Sequence, residues 1–142
     1  MNALEKRMVD ALKDLKDNHD VLGVKAEFEA EGTRMEEALR LKEVVTKAGL
    51  DLTIKIGGCE AIRDMYDARS IGVTRIVAPM IETPYAMHKF IGATHMVYPA
   101  DEWSSVDFLI NIETETGYRN FEKMMDLKES EQLAGIVLGR TD

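Results

Sequence analysis

Acidic residues that follow apolar runs are the side chains of this sequence with the clearest chemical potential. Glu113 ends the run FLINI at residues 108–112, and Asp142 follows the run LAGIVLG at residues 133–139. A carboxylate at the end of a buried run is costly unless something pairs with it, so a salt bridge or a helix N-terminus is one explanation for Glu113. Two carboxylates that leave positions open for water also suit Mg²⁺ or Mn²⁺, which are hard ions. The pair is therefore a candidate divalent-metal site.

Two basic residues also follow apolar runs. Lys55 comes after DLTI, and Arg140 comes after LAGIVLG. Because a cation in the middle of a buried strand would be expensive, we expect Lys55 at the mouth of a strand. There it could orient a carboxylate or stabilise an enolate as a point charge. Arg140 could hold a substrate carboxylate or pair with a nearby acid.

Two further groups of residues could contact a ligand. Gly57 and Gly58 precede a predicted helix, where backbone N–H groups can approach a carboxylate or a phosphate, although such a pair is also a common turn. Glu27, Glu29 and Glu31 alternate along EFEAE and share one face of an extended segment. That face could hold metal-bound waters through Glu27 or Glu29, or it could simply be solvated.

Composition excludes several classes of protein. With 142 residues, 45% of them hydrophobic and 31% charged, the chain fits a single globular domain over residues 1–142. The net charge of -8 argues against a nucleic-acid surface and against an anionic membrane. The first twenty residues lack the apolar core of a signal peptide or an anchor, and a lone cysteine fits the reducing cytoplasm. We expect a small molecule or another protein as the partner.

Five short β-like runs alternate with helical stretches along the chain. They are VLGVKAEF, DLTIKIG, TRIVAPMI, DFLINIE and LAGIVLG. Most are too apolar for one-sided antiparallel strands, so they favour an α/β fold with a parallel sheet covered by helices. The sheet could be a (β/α) TIM-barrel-like arc, incomplete at about five strands, or an open doubly wound sheet. In both architectures the chemistry gathers at the carboxyl ends of the strands, where we expect Glu113 and Asp142 on adjacent strands.

Local signals predict where the helices lie. The first helix has an apolar face formed by Leu4, Met8, Ala11, Leu12 and Leu15. Thr33 and Glu36 have the spacing of a capping box, and Gly49 sits where that helix would stop. Thr83, followed by a proline, predicts the start of another helix, and a further one is expected near residues 117–127.

Three segments in this order resemble the HpcH/HpaI aldolase and citrate lyase family of the phosphoenolpyruvate/pyruvate-binding barrels. They are RIVAPMIETPYAM at residues 75–87, FLINIETETGYRN at 108–120 and LAGIVLGRTD at 133–142. The resemblance extends over roughly residues 21–142 and implies that Glu113 and Asp142 bind a divalent metal, Mg²⁺ or Mn²⁺. It also implies reversible carbon–carbon bond cleavage through an enolate of a small 2-oxo acid or an acyl thioester. The metal of such enzymes stabilises the enolate oxygen as a Lewis acid.

The sequence departs from the pyruvate aldolases of that family at two places. Those enzymes share a histidine after the first acidic strand end, whereas AEFEAEG, residues 26–32, carries Glu29 and no histidine. They also share an arginine at the end of the next strand, whereas TIKIGG, residues 53–58, carries Lys55. A lysine cannot form the bidentate fork of an arginine. We interpret Lys55 and Glu29 as the catalytic residues, and Gly57, Gly58 and Arg140 as substrate-binding residues.

The competing interpretation is a non-catalytic barrel fragment or binding module. A closed barrel has eight strands and typically about 250 residues, more than the five runs supply. An open arc leaves unpaired strand edges and an exposed apolar side, so we expect the isolated chain to form homo-oligomers and to lack lyase activity. A nucleotide-binding doubly wound domain is disfavoured because no glycine-rich phosphate-binding motif follows any run.

Overall fold

The chain folds into a sheet of five parallel strands that alternate with helices. The structure, a computed structural model, describes residues 1–139. The strands are β1 (Gly23–Glu27), β2 (Asp51–Lys55), β3 (Arg75–Ala78), β4 (Asp107–Ile112) and β5 (Gly135–Leu138). They pair in the order β1-β2-β3-β4-β5, and every neighbouring pair is parallel. The predicted parallel sheet is confirmed, and its sequential order is that of a barrel arc rather than of a doubly wound sheet.

Seven α-helices lie among the described residues. They are α1 (Ala3–His19), α2 (Met35–Lys47), α3 (Ile62–Ser70), α4 (Pro84–Val97), α5 (Ala100–Trp103), α6 (Glu115–Arg119) and α7 (Phe121–Met125), and a 3₁₀ turn follows at Lys128–Gln132. The connections between strands carry the helices because parallel neighbours require long crossovers. Within residues 1–139, no helix has the length and apolar composition needed to cross a membrane.

Helix α2 begins one residue later than the sequence pattern predicts. Its N-cap is Arg34, whose backbone N–H donates to a carboxylate oxygen of Glu37 at 2.9 Å. The Arg34 guanidinium donates to the other oxygen of the same carboxylate at 2.8 Å. The predicted capping pair of Thr33 and Glu36 is wrong because Glu37 gives Arg34 both a backbone hydrogen bond and an ion pair. Gly49, with φ of 72°, follows α2 as predicted.

The helix predicted near residues 117–127 forms as two short helices, α6 and α7, which meet at Asn120. The Asn120 side chain donates to the backbone oxygen of Glu82 at 3.0 Å, which ties the break to the loop after β3. Thr114 caps α6 by accepting the Gly117 N–H at 3.1 Å. Thr83 caps α4 as predicted, accepting an N–H at 3.1 Å.

Helix α1 packs with a different face from the one that its apolar spacing predicts. Four residues of the predicted face are exposed, namely Leu4, Met8, Ala11 and Leu15. Glu5 and Val9 are buried instead, and the Glu5 carboxylate accepts a hydrogen bond from Arg40 of α2 at 2.6 Å. This charged contact draws the Glu5 side of α1 onto α2, and the predicted packing of these four residues is wrong for that reason.

The two faces of the sheet differ in chemistry because successive side chains of a strand alternate. One face forms the core with the helices, through residues such as Ile54, Ile76 and Ile110, which are fully buried. The register of the strands places Glu27, Lys55 and Val77 in one row, out of phase with those core residues. Polar side chains of the strands therefore concentrate on the opposite face, which we call the inner face. Its upper edge, at the carboxyl ends of the strands, carries the site described below.

Candidate functional site

Three of the predicted site residues gather at the carboxyl edge of the sheet. Lys55 is the last residue of β2, Glu113 directly follows β4, and Glu29 lies two residues beyond β1. The Lys55 Nζ lies 2.9 Å from Glu29 Oε2 and 3.7 Å from Glu113 Oε2. The structure thus brings Lys55, Glu29 and Glu113 into one charged cluster, as the parallel sheet predicts.

Lys55 is an ammonium group enclosed by carboxylates. Burial of its side chain, the largest influence, acts to lower the pKa of Lys55. The hydrogen bond to Glu29 and the charges of Glu113, Glu27 and Glu29 outweigh burial and raise the pKa above its ordinary value. Lys55 therefore carries a positive charge at neutral pH, which suits the binding of an anion and disfavours attack on a carbonyl by a free amine.

The Glu113 carboxylate is held in place from two sides. The backbone N–H of Met80 donates to Oε1 at 2.8 Å, and the Asn111 amide donates to Oε2 at 2.9 Å. The Glu113 side chain is only 6% exposed. Met80 adopts the left-handed region with φ of 48°, which is uncommon for a residue other than glycine and which accompanies the contact of its N–H with Glu113. Glu113 is consequently a fixed charge at the edge of the sheet.

Gly139 allows the end of β5 to approach Glu113. A Cβ atom at position 139 would lie 2.6 Å from the Cβ of Glu113, a distance that real atoms do not adopt. The backbone N–H of Gly139 donates to the Ile112 oxygen at 3.1 Å and continues the pairing of β4 with β5. Only glycine allows the two backbones to approach this closely. The feature of the sequence that could have indicated this role is a glycine at the end of an apolar run.

Replacing Gly139 with alanine is expected to reduce the free energy of unfolding by about 1–3 kcal/mol, the usual cost of overpacking. The added methyl group would displace Glu113 or separate β5 from β4. Urea denaturation of the variant measures the loss, with Gly58→Ala as a control because no atom lies within 4 Å of a Cβ there. Equal stability of the two variants would contradict the close approach.

Asn111 is a site residue that the sequence analysis does not identify. It is 5% exposed, and its Oδ1 is buried without a hydrogen-bond partner in the part of the chain that the structure describes. A buried acceptor of this kind is normally satisfied by water or by a ligand. The available signal was an asparagine inside the apolar run FLINI, two residues before Glu113 and hence on the same face of β4.

The backbone of the Gly57–Gly58 turn already contacts a protein carboxylate. The Gly57 N–H donates to Asp64 Oδ2 of α3 at 2.7 Å. The geometry agrees with a turn that receives an anion, but Asp64 takes the position that a substrate would need at Gly57. The substrate-binding role of Gly57 and Gly58 remains a prediction.

The oxygen ligands near Glu113 are of the type that binds a hard cation. The described residues alone do not supply a complete set of ligands for it. Between residues 1 and 139, no three His, Cys, Asp or Glu side chains are arranged to hold a metal ion. Glu113 retains lone pairs on both oxygens, and the unpartnered Asn111 Oδ1 is a neutral oxygen on the same strand end. Asp142, the second predicted ligand, and Arg140 lie outside the described residues, so their roles remain predictions.

An open groove adjoins Glu113 and has a volume of about 390 Å³. Its lining consists of Ile112, Glu113, Thr114, Glu115, Tyr118, Leu138 and Gly139. It offers space for a small molecule beside the fixed carboxylate.

The fold is similar to that of two solved structures. Citrate synthase SbnG matches with a TM-score of 0.74 at 13% identity, over 92% of this chain and 56% of that chain. An HpcH/HpaI aldolase/citrate lyase family protein from Burkholderia cenocepacia J2315 matches with a TM-score of 0.70 at 12% identity, over 97% of this chain and 68% of that one. No protein-family profile and no curated protein sequence matches the chain. The chain thus has the fold of these proteins and spans little more than half the length of citrate synthase SbnG.

Proposed function

We propose that the chain belongs to a metal-dependent carbon–carbon lyase, related to the HpcH/HpaI aldolases and citrate lyases, that acts on a small carboxylic acid. The observation that carries this proposal is the ammonium of Lys55 between Glu29 and Glu113 at the carboxyl edge of a sequential parallel sheet. The names of the two similar structures and the three resembling segments support the same chemistry. The substrate is a 2-oxo acid aldol or an acyl thioester.

Lys55 binds the carboxylate of the substrate or the oxygen that becomes the enolate. A buried ammonium needs no reorganisation when charge develops beside it, so its stabilisation of that charge exceeds what water provides.

Glu29 accepts the proton of the substrate hydroxyl in the cleavage direction. As the O–H bond breaks, the hydroxyl carbon becomes a carbonyl and the electrons of the carbon–carbon bond move into the enolate. The same proton can then return to the enolate carbon. Glu29 is suited to this role because it lies 2.9 Å from Lys55 and is therefore beside the substrate that Lys55 holds.

Glu113, together with Asp142, would hold the divalent ion, which we propose to be Mg²⁺ or Mn²⁺. Such an ion supplies Lewis-acid stabilisation of an enolate when it is bound. Met80 and Asn111 act on Glu113, since their hydrogen bonds fix the orientation of its carboxylate.

A chimaera tests the proposed function. The chain would be joined to the segment of the Burkholderia cenocepacia protein that it does not cover, so that a closed barrel can form. We expect Mg²⁺-dependent release of pyruvate or an acyl thioester from a panel of 2-oxo acid aldols and acyl-CoA adducts. Wild-type and Lys55→Met chimaeras of equal stability that both lack activity would favour the alternative function, a non-catalytic binding module.

The open sheet predicts self-association of the chain. Strands β1 and β5 are the two edges, and Leu138 of β5 is 74% exposed. Unpaired edges and exposed apolar side chains favour contact between copies. We therefore expect light scattering to show dimers or larger assemblies, and we expect the 142-residue chain to cleave no member of the same panel. A stable monomer, or measurable Mg²⁺-dependent cleavage, would contradict this prediction.

A further inference from the structure

The anion-binding groups of the site are already occupied by carboxylates of the protein itself. Glu29 Oε2 lies 2.9 Å from the Lys55 ammonium and is shielded from solvent. Asp64 Oδ2 lies 2.7 Å from the Gly57 nitrogen. The first contact is an ion pair, and the second is a hydrogen bond from a backbone N–H. The protein's own carboxylates therefore mark two positions that accept a carboxylate group.

The two carboxylates on Lys55 differ in how firmly they are held. Glu113 accepts hydrogen bonds from Met80 and Asn111, and it directly follows a central strand. The last hydrogen bond between the β1 segment and β2 runs from the Phe28 N–H to the Lys55 oxygen at 2.9 Å, and Glu29 lies beyond it. Of the two, Glu29 is the one that can leave Lys55 without breaking the sheet.

The segment that carries Glu29 is a short loop, residues 29–33, between the sheet-bonded Phe28 and Arg34, the N-cap of α2. The Gly32 N–H donates to the Glu29 oxygen at 3.1 Å, and the Thr33 N–H donates to the Glu27 oxygen at 3.0 Å. Gly32 has φ of 58°, a conformation that glycine adopts without strain. These bonds do not involve the Glu29 carboxylate, which can therefore leave Lys55 without breaking them.

We propose that Glu29 is a displaceable gate on Lys55: the substrate carboxylate takes its place, and the loop of residues 29–33 opens. This inference rests on the proposed function, in which Lys55 binds a substrate anion. One ammonium already faces two carboxylates, so a third anion would be repelled unless one carboxylate withdraws. Glu29 moves off the ammonium in this exchange but stays beside it, so its carboxylate can accept the proton of the substrate hydroxyl.

Calorimetric titration with pyruvate, in the presence of EDTA to exclude divalent metal, tests the gate. We expect Glu29→Gln to bind pyruvate about tenfold more tightly than the wild-type chain, a change equal to 1.4 kcal/mol. Glu31→Gln is the matched control, because Glu31 lies in the same loop and its carboxylate accepts the Glu27 N–H at 3.2 Å. The control should bind pyruvate as the wild type does.

Hydrogen exchange at the amides of Gly32 and Thr33 gives a second readout. Pyruvate should accelerate their exchange in the wild type, whereas in Glu29→Gln exchange should be fast already and insensitive to pyruvate. Equal affinities of wild type and Glu29→Gln, or loop amides that pyruvate leaves unchanged, would overturn the gate while the proposed function stands. Absence of pyruvate binding by either protein would overturn both the gate and the role of Lys55 in the proposed function.

Discussion

Glu113→Gln is expected to weaken binding of Mg²⁺ or Mn²⁺ by at least about 10- to 100-fold. That is the range by which metal affinity falls when even one group that supports a metal ligand is lost. A glutamine keeps the size of the side chain and removes the negative charge that a hard cation requires. The Asn111 amide now donates a hydrogen bond to Glu113 at 2.9 Å, and in the variant it would face the amide nitrogen of the glutamine, which is also a donor. We therefore expect an accompanying loss of about 1–3 kcal/mol in the free energy of unfolding.

Glu27→Gln is the matched control for this substitution. Glu27 also lies on the inner face, as the last residue of β1, but its carboxylate pairs with Lys25 at 2.6 Å. Metal titration and a melting curve separate two explanations of Glu113. Unchanged metal affinity together with a large loss of stability would mean that Glu113 only supports the fold as a partner of Lys55.

Lys55→Met is the second substitution with a large expected effect. It should weaken binding of pyruvate at least about tenfold, and in an active form it should reduce kcat/KM about 100-fold, the effect of removing one preorganised donor to a developing oxyanion. Metal affinity should change little, because Lys55 is not a ligand. Methionine retains the length of the buried aliphatic part of the side chain. The loss of affinity and of rate therefore measures the contribution of the ammonium group.

Lys25→Met is the control for Lys55→Met. Lys25 carries the same charge on the same face and pairs with Glu27, but it is 49% exposed and contacts neither Glu29 nor Glu113 within the described residues. Its substitution should leave pyruvate binding unchanged. Wild-type affinity and wild-type rates in Lys55→Met would exclude the proposed role of Lys55.

Apolar runs predicted the sheet well because burial and strand alternation leave a direct pattern in the sequence. Each of the five runs contains one strand, and the order of the strands follows from their parallel crossovers. Charged contacts were less predictable. The pairing of Glu5 with Arg40 spans 35 positions and decides which face of α1 is buried, and no local pattern indicates such a distant partner.

The site could be predicted in part for the same reason. Lys55, Glu29 and Glu113 lie at the carboxyl ends of β2, β1 and β4, and their position at one edge of the sheet follows from the parallel topology. The supporting groups do not follow from residue type. Met80 contributes a backbone N–H through an unusual φ angle, which its residue type does not indicate. Gly139 stands out in the sequence as a glycine after an apolar run, but the close approach to Glu113 that requires it becomes visible only in the structure.

The most direct test of a joint metal and carboxylate site is the effect of Mn²⁺ on the proton signal of the pyruvate methyl group. Bound Mn²⁺ broadens the signals of nuclei close to it. We predict strong broadening with the wild-type chain and Mn²⁺ together, little broadening with Glu113→Gln or Lys55→Met, and broadening equal to that of the wild type with Glu27→Gln. Broadening that is the same in the wild type, Glu113→Gln and Lys55→Met would contradict a site at the carboxyl edge where Glu113 binds the metal and Lys55 binds the carboxylate.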